Sequence, residues 1–354
     1  MPDPSSSPMT GCPVSTELPP VFARHQDAIG GALRAELECR TLSMYDSLRY
    51  YMGWATPDGT RSDNPEGKRL RPTLCLLACE AVGGDPADAL PVAVAIEFVH
   101  NFSLIHDDIE DGDRTRHHRP TLWVIWGEPI AIVAGNNLLA LGNIAAQKLR
   151  NVAAETSVAA GHILTERYLS MMEGQYLDIA YEGRTDVTVG EYLAMIERKT
   201  GALIKGSVEL GALVGSGGSG EIVDGLRAVG DDLGRIYQIR DDVLGVWGGP
   251  ALGKPIGSDI TRKKNSLPVV HVLEHVSDVE QRELQRIYAG DEIGASDVER
   301  VLEMMDHLGT QRWCQKQAET RWNRARNRLG SLRLSPDATR DFLELGEYLL
   351  VWEA

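Results

Sequence analysis

The residues with the clearest chemical potential lie in the stretch HDDIEDGDRTRHHRP, at positions 106–120. Five carboxylates occupy the seven positions from 107 to 113, and a basic run follows at once. Asp111 lies four residues after Asp107 and three after Asp108, so on a helix the three share one side, with Cβ atoms roughly 5–6 Å apart. Because like charges at that spacing repel, the cluster requires a compensating partner.

The place of this cluster in its helix adds a second electrostatic penalty. The apolar run 92–105 precedes it, so the carboxylates lie toward the C-terminal end of a predicted helix. The helix macrodipole is negative there and disfavours each anion by roughly 0.3–1 kcal/mol. A bound cation would remove both penalties, and carboxylates without cysteine or paired histidine ligands favour Mg²⁺ first. The alternative is a solvated acidic helix end that pairs with the arginines after it.

A second acidic pair favours the metal interpretation. Asp241 and Asp242 lie in QIRDDVLGVWG, at 238–248, and they also follow a long apolar segment that is predicted to be helical. Two helix ends of one bundle can face a shared cavity although they lie far apart in the sequence. Two acidic clusters of this kind are harder to explain as solvated surface than one.

Basic side chains that could bind phosphate surround both acidic clusters. Each of them alone is most simply a solvated surface charge. The set comprises Lys68, Arg69, Arg71, Arg116, Lys199, Lys254, Lys263 and Lys264. Since Mg²⁺ binds through a few carboxylates, several waters and substrate phosphate oxygens, the acidic and basic residues together predict a magnesium–diphosphate site.

The composition bounds the class of protein and its partners. The chain has 354 residues, a hydrophobic fraction of 43% and a formal net charge of −15. That charge argues against nucleic acid, because phosphate backbones need a basic protein face. The five cysteines are odd in number and scattered, so we expect reduced thiols and a cytoplasmic location. Cys75 and Cys79 lie four residues apart in an apolar run and are predicted to pack in the core.

Most of the chain shows the periodicity of amphipathic helices. Apolar residues recur at three-and-four spacing in 21–51, 68–82, 88–106, 129–150, 153–182, 189–214, 221–247, 263–275, 278–288, 294–306, 309–329 and 335–352. The connections are short, which predicts a bundle of antiparallel neighbours. We expect an all-α fold, with a single domain over 21–354 and a disordered tail, rich in Pro and Ser, at 1–20.

No membrane span or signal peptide is expected. The first twenty residues have neither a basic start nor an apolar segment. A membrane span needs about 18 uninterrupted apolar residues. The best candidate, 91–105, is interrupted by Glu97 and His100.

Five motifs in this order give the chain a resemblance to a known family. They are EGKRLRP (66–72), HNFSLIHDDIED (100–111), RTRHHRPT (114–121), RKTGAL (198–203) and YQIRDDVLG…GKPIGSD…KKNSLP (237–268). The chain resembles the trans-isoprenyl diphosphate synthases, the polyprenyl synthetase family, from about residue 25 onward. The resemblance implies an isoprenoid synthase-type helical bundle around a central cavity, usually as a homodimer.

The resemblance also implies a role for each motif residue. The metal ligands would be Asp107, Asp108, Asp111, Asp241 and Asp242, which together hold three Mg²⁺ on an allylic diphosphate. Residues that grip this diphosphate would be Arg116, Lys199 and Lys254, with Lys264 nearby. Isopentenyl diphosphate would bind to Lys68, Arg71, His100 and the residue at position 117, His117. Thr200 and Gln238 would face the reacting centre, with Gln175 and Asp178 in a polar patch beside it.

The chemistry implied by the resemblance is the condensation of two prenyl substrates. Mg²⁺ and cationic side chains neutralise the leaving diphosphate, so the allylic C–O bond ionises. The double bond of isopentenyl diphosphate attacks the cation, and a proton then leaves to the departed diphosphate. Phe102 and Ser103 precede Asp107 by five and four residues. In this family, an aromatic residue five positions before the first Asp, with a small residue four positions before it, resembles the short-chain synthases. The first expected product is geranylgeranyl diphosphate, and the second is farnesyl diphosphate.

Four positions depart from the family pattern. Gly245 stands where the second acidic motif usually has its third Asp, and His117 replaces the second residue of an Arg-Arg pair. Asn136 replaces an Asp, and Trp352 replaces an Arg. These departures leave two alternatives: a class I terpene cyclase on the same fold, or a non-catalytic partner subunit of a prenyl synthase. The first predicts loss of the isopentenyl diphosphate pocket, and the second predicts damaged aspartate motifs.

Overall fold

Helices with apolar residues at three-and-four spacing make up almost all of the computed structural model, which describes residues 18–62, 67–218, 220–248 and 255–350. In chain order they are α1 (Pro20–Glu38), α2 (Met44–Tyr51), α3 (Leu70–Ala81), α4 (Pro86–Glu110), α5 (Leu122–Trp126), α6 (Glu128–Ala146), α7 (Ala154–Tyr181), α8 (Val189–Ile196), α9 (Ala202–Ser216), α10 (Glu221–Trp247), α11 (Ser258–Thr261), α12 (Leu267–His275), α13 (Asp278–Ala289), α14 (Ala295–His307), α15 (Thr310–Ser331) and α16 (Pro336–Leu350). A π-helical turn, Glu197–Gly201, joins α8 to α9. The described residues confirm the all-α fold class.

The sequence periodicity located some helices well and misjudged others. The predicted helix 221–247 coincides with α10, but the predicted helix 21–51 was wrong, because it is divided into α1 and α2. The guanidinium of Arg49 in α2 donates to the carbonyl oxygens of Leu37, at 2.9 Å, and Arg40, at 2.5 Å. One carbonyl belongs to the last turn of α1 and the other lies just past its end, so a side chain from the next helix stabilises the break.

The core forms where the two acidic helices meet their neighbours. α4 packs against α3 and α6, while α9 packs against α3 and α10. A Cβ on Gly211 of α9 would lie 1.9 Å from the carbonyl oxygen of Cys75 in α3, so glycine is what allows these helices to touch. Cys75 and Cys79 are both fully buried, and burial raises the pKa of both thiols, which confirms their predicted place in the core.

A smaller apolar cluster lies at the end of α10. Val246 packs there with Ile260 and with apolar residues of α12, α13 and α14. Trp247 packs against both this cluster and the main core, so the two are continuous. The single domain over 21–354 stays a prediction, and residues 1–17 of the predicted tail lie outside the described residues.

Among the described residues, two helices are long and apolar enough to cross a membrane, by length and composition alone. They are α4 and α6, whose most apolar windows are 61% and 44% buried inside the protein. The core helices of a bundle pass the same test, and α4 carries the buried carboxyl of Glu97 at its centre. We therefore interpret both as core helices, and the expected absence of a membrane span stays a prediction.

A short hairpin follows α4 and was not expected from the sequence. β1 (Thr115–Arg116) pairs antiparallel with β2 (Arg119–Pro120), and the two-residue turn between them is His117–His118. Both histidines have positive φ, 50° and 61°, as a type I′ turn requires. Asn-Gly and Asp-Gly are the usual signals for this turn, and their absence explains why the hairpin was missed.

We expect His118→Gly to raise the free energy of unfolding by roughly 0.5–1 kcal/mol. Glycine removes the strain that a side chain causes in the left-handed conformation of the folded protein, and this gain exceeds the extra backbone entropy that glycine loses on folding. Urea denaturation of the purified protein measures this difference. His162→Gly is the matched control, since His162 is exposed in the middle of α7, where glycine should lower stability by up to about 1 kcal/mol. A His118→Gly protein less stable than the wild type would contradict the strain at this turn.

Candidate active site

The first acidic cluster occupies the end of α4. Asp107 and Asp108 lie in its last turn, and Asp111 is the residue that ends it. The Nε of Arg116, on β1, donates to Oδ1 of Asp108 at 2.6 Å. Oδ2 of Asp108 is buried and has no hydrogen-bond partner among the described residues. The hairpin thus pairs one oxygen of Asp108 with a cation and leaves the other unpaired within the described part of the chain.

Burial works against negative charge in this cluster. It raises the pKa of Asp107 to about 7, with Lys199 opposing the shift and Asp111 adding to it. It raises the pKa of Asp108 to about 6, against the effect of Arg116. A divalent cation would stabilise both carboxylates in their charged form, and the orphaned oxygen of Asp108 fits such a ligand. Within the described ranges no three Asp, Glu, His or Cys side chains form a metal site by themselves, so an ion here takes further ligands from water or a bound anion.

Lys199 reaches the cluster from the π-helical turn. Its Nζ donates to Oδ2 of Asp178 on α7. A Cβ on Gly174, also on α7, would lie 2.1 Å from the backbone nitrogen of Lys199, so this glycine lets the wide turn pass close to α7. Single π-helical turns are frequent at functional sites. The sequence analysis treated 189–214 as one regular helix, because one wide turn alters the periodicity too little to detect.

A chain of hydrogen bonds links this turn to the second acidic motif. Thr200 Oγ1 donates to Oε1 of Gln238 at 2.5 Å, and Gln238 Nε2 donates to Oδ1 of Asp242 at 2.8 Å. Oδ2 of Asp242 accepts from the hydroxyl of Tyr192, at 2.5 Å, and from the backbone N–H of Leu267, at 3.1 Å. The geometry therefore fixes the side chain of Gln238 and, through it, Thr200.

This network bears on the predicted role of Asp242. The carboxylate is 1% exposed, burial raises its pKa to about 7, and both of its oxygens already accept hydrogen bonds from protein groups. A carboxylate has about four acceptor sites on its two oxygens, so these donors leave the role of Asp242 as a metal ligand a prediction. Asp241, the other member of the pair, is only partly buried. Tyr192 is a further residue of this network, and its position in the sequence alone carries no signal for the contact with Asp242.

Lys264 lies close to the second acidic motif. Burial lowers the pKa of its ammonium group, but Asp259, Asp242 and Asp241 outweigh that effect and raise the pKa above its ordinary value. Lys264 is therefore a firmly charged cation beside α10, as its predicted role beside a diphosphate requires. Lys254, predicted to act with it, lies outside the described residues, as does Trp352.

The residues predicted to bind isopentenyl diphosphate lie at the start of α3 and on α4. Arg71 Nη1 is 3.1 Å from Nε2 of His100, and the Arg71 guanidinium lies 5.9 Å from the ring centroid of Tyr237. Burial, together with Arg71 and Arg116, lowers the pKa of His100 well below its usual value, so this imidazole is neutral. Lys68 is exposed, and its Nζ donates to the hydroxyl of Tyr348 on α16 at 2.9 Å.

His117 does not simply replace an arginine. Desolvation and the charges of Arg116 and His118 lower the pKa of its imidazole. A neutral imidazole at physiological pH would be a weaker anion ligand than the arginine of the family pattern.

A cavity of 510 Å³ lies beneath the first acidic cluster. Its lining includes the polar groups Arg71, His100, Asp107, Glu110, Lys199 and Thr200. The remaining wall is largely apolar, with Phe102, Ser103, Leu139, Met171, Met172, Tyr176, Ile179 and Leu203, and it also includes Asn136 and Gln175. The ring of Phe102 meets His106 edge-on, with centroids 4.8 Å apart. This combination suits a ligand with an anionic head and a hydrocarbon tail.

The comparisons with known proteins agree with this geometry. Residues 60–305 match the family described as Polyprenyl synthetase. The chain belongs to this family. It is 34% identical over 337 residues to a (2E,6E)-farnesyl diphosphate synthase of Mycobacterium tuberculosis (strain CDC 1551 / Oshkosh), covering 94% of this chain and 92% of the relative. It is 38% identical over 311 residues to a geranylgeranyl diphosphate synthase of Mycobacterium tuberculosis (strain ATCC 25618 / H37Rv), covering 87% of each.

Solved structures of related proteins superpose closely on this chain. A polyprenyl synthetase from Streptomyces coelicolor A3(2) superposes with a TM-score of 0.87 at 33% identity, covering 94% of this chain and 99% of that one. A geranylgeranyl pyrophosphate synthetase from Pyrococcus horikoshii Ot3 gives 0.83 at 32% identity, with the same coverage. The family and the isoprenoid synthase-type bundle inferred from the motifs are therefore confirmed.

We expect Tyr192→Phe to lower the free energy of unfolding by roughly 1–3 kcal/mol, because a buried carboxylate oxygen loses a donor that no other side chain replaces. Chemical denaturation measures the change. Tyr176→Phe is the control, since its side chain is 71% exposed and should leave stability nearly unaltered. Equal stabilities for the two variants would show that the Tyr192–Asp242 contact contributes little.

Proposed function

We propose that this protein is a trans-prenyltransferase that condenses isopentenyl diphosphate with an allylic diphosphate. The product would be a short-chain prenyl diphosphate, geranylgeranyl diphosphate first and farnesyl diphosphate second. The observation that carries the proposal is a largely apolar cavity whose lining includes the carboxylate of Asp107 and the cationic side chains of Lys199 and Arg71, with the Asp108–Arg116 ion pair next along the chain. The chain's membership of the polyprenyl synthetase family supports it independently.

Five carboxylates would hold three magnesium ions together with the allylic diphosphate: Asp107, Asp108, Asp111, Asp241 and Asp242. Oδ2 of Asp108, which is buried without a hydrogen-bond partner among the described residues, would be one of the ligand atoms. When bound, Mg²⁺ would neutralise the diphosphate as the allylic C–O bond breaks. Arg116, Lys199 and Lys264 would add fixed positive charge, with Lys254 as a fourth cation. Lys199 donates to Asp178 in this structure, so it would exchange that partner for a phosphate oxygen.

The hydrogen-bonded residues of the π-helical turn would stabilise the allylic cation. Asp242 orients the amide of Gln238, whose Oε1 accepts from Thr200. Hydroxyl and amide oxygens held in place by a buried network present negative dipole ends without reorganisation. Neutral His100 with Arg71 would bind the diphosphate of the second substrate, and Lys68 would complete that pocket. The proton released after condensation would pass to the departed diphosphate.

The two alternative functions gain no support from the site. A terpene cyclase does not need a second diphosphate pocket, yet Arg71 and His100 are held against each other. A non-catalytic subunit would tolerate a damaged first cluster, yet Asp108 and Arg116 form a well-oriented ion pair. We therefore favour the condensing enzyme.

We also propose a homodimer and a cytoplasmic location. Large apolar side chains are exposed on the neighbouring helices α6 and α7, namely Ile130, Ile132, Val133, Ile144, Val158, Leu169, Tyr176 and Ile179. Exposed apolar surface of this kind suits a second protein surface, and a second copy is the commonest partner. A monomer in sedimentation at micromolar concentration would contradict the dimer. The described cysteines form no disulfide, in keeping with a reducing compartment.

The decisive experiment supplies purified protein with Mg²⁺, isopentenyl diphosphate and each allylic starter, and identifies the products by mass spectrometry. We expect a linear twenty-carbon diphosphate. Asp107→Asn should lower kcat by at least about 100-fold, the usual effect of removing one group that stabilises a charged transition state. Asp224→Asn, an exposed change at the far end of α10, should leave the rate unaltered. Hydrocarbon formed from a prenyl diphosphate alone would favour the cyclase, and turnover only with an added homologue would favour the subunit.

Product length should depend on Phe102, because its ring forms part of the cavity wall about one helical turn from Asp107. We expect Phe102→Ala to shift the products toward chains longer than those of the wild type, as the cavity gains room for further isoprene units. Phe98→Leu, one turn earlier on α4 and fully buried outside the cavity lining, should keep the product distribution. Mass spectrometry of the products tests both, and an unaltered distribution for Phe102→Ala would remove this residue from length control.

A further inference from the structure

The π-helical turn Glu197–Gly201 lies between two helices that approach its backbone closely. A Cβ on Gly174 of α7 would lie 2.1 Å from the backbone nitrogen of Lys199, and a Cβ on Gly234 of α10 would lie 2.7 Å from Cα of Gly201. Both contacts are with backbone atoms, which cannot rotate away as the end of a side chain can. The turn therefore has little room to move toward α7 or α10.

A chain of ion pairs joins the turn and the helix after it to α10. Nη2 of Arg235 on α10 donates to Oε2 of Glu197, the first residue of the turn, at 2.5 Å. Nε of Arg235 lies 3.3 Å from Oδ2 of Asp231, one helical turn earlier. Oδ1 of Asp231 accepts from Nζ of Lys205 on α9 at 3.1 Å. These four residues, the ion-pair chain, anchor the segments on both sides of the turn to one stretch of α10.

The centre of the ion-pair chain is mostly shielded from water. The side chains of Arg235 and Asp231 are 15% and 16% exposed, so solvent and salt screen this pair less than a surface pair. The adjacent Asp232 has other partners, because its carboxylate pairs with Arg324 and Arg321 of α15. Asp231 is thus the carboxylate of this stretch that connects α9 to Arg235.

The ion-pair chain runs beside the hydrogen bond that orients the site. Arg235 precedes Gln238 by three residues on α10, and Glu197 precedes Thr200 by three. The Arg235–Glu197 pair and the Thr200–Gln238 hydrogen bond, at 2.5 Å each, are therefore two connections between the same turn and the same helix. A shift of the turn along α10 would break both of them.

We propose that the ion-pair chain is a positioning device of the active site, which holds the π-helical turn on α10 so that Lys199 and Thr200 keep the places that the reaction requires. Arg235 is its central positioning residue, because its guanidinium contacts both Glu197 and Asp231. The four residues act through Lys199 and Thr200. This inference rests on the proposed function only in assigning catalysis to those two side chains.

The test removes the charges of one pair singly and together, in Glu197→Gln, Arg235→Gln and the double variant. Arg300→Gln is the matched control, since it removes a guanidinium from the ion pair with Glu283, at 3.1 Å, that joins α14 to α13. The first readout is hydrogen exchange of the backbone amides of 197–205, followed by mass spectrometry. The second is the single-turnover rate constant of condensation with enzyme in excess, which does not depend on the fraction of protein that is folded.

We expect the amides of 197–205 to exchange about tenfold faster in each single variant, because local opening of the turn becomes easier. The single-turnover rate constant should fall about tenfold, as reacting groups lose their alignment, while the KM for isopentenyl diphosphate stays within about twofold. The double variant should lose no more than the more affected single variant, since residues in contact are not additive. Arg300→Gln should leave all three quantities unaltered.

Three results would overturn the inference: exchange in 197–205 identical to that of the wild type, faster exchange with an unaltered single-turnover rate constant, or losses that add up in the double variant. If Arg235→Gln does not fold, as circular dichroism would show, Glu197→Gln still decides, since the side chain of Glu197 is 38% exposed. A wild type that condenses no prenyl substrates would refute the proposed function, and hydrogen exchange alone would then decide whether the ion-pair chain holds the turn.

Discussion

Negative charge buried at a helix end is the constraint on which the rest of the site depends. The end of α4 places Asp107 and Asp108 against the negative pole of the macrodipole, and burial raises the pKa of both. Arg116, on β1, donates to one oxygen of Asp108. The left-handed backbone of His117 and His118 follows directly and pairs β2 with the strand that carries this cation.

The carboxylates at the end of α10 are stabilised by different contacts. Asp242 is buried, which favours its neutral form. Protein donors nevertheless hydrogen-bond to both of its oxygens, and Lys264 supplies the nearby positive charge. One acidic helix end is therefore left with a carboxylate oxygen for a ligand, while the other uses a carboxylate to orient Gln238. The two motifs look alike in sequence, yet their physical roles differ because their surroundings differ.

The sequence predicted what depends on local pattern and missed what depends on contacts across the fold. The bounds of α10, the place of the first aspartates at a helix end, and the core position of Cys75 all follow from periodicity and charge. The division of α1 from α2, the π-helical turn at Lys199 and the hydrogen bonds of Asp242 depend on partners far away in the chain. No spacing rule indicates that Arg49 will cap another helix or that Tyr192 will reach Asp242.

Glycines show where such long-range contacts have shaped the chain. At Gly174 the neighbouring backbone of Lys199 takes the space of a side chain, and at Gly245 the carboxylate of Asp259 does so. A glycine in a motif can thus mark a group supplied from elsewhere, because the absent side chain and the incoming group exclude each other sterically. Judged by its own position, Gly245 is a lost ligand. Judged by the atoms that fill its space, it is the place where the carboxylate of Asp259 packs against the last turns of α10.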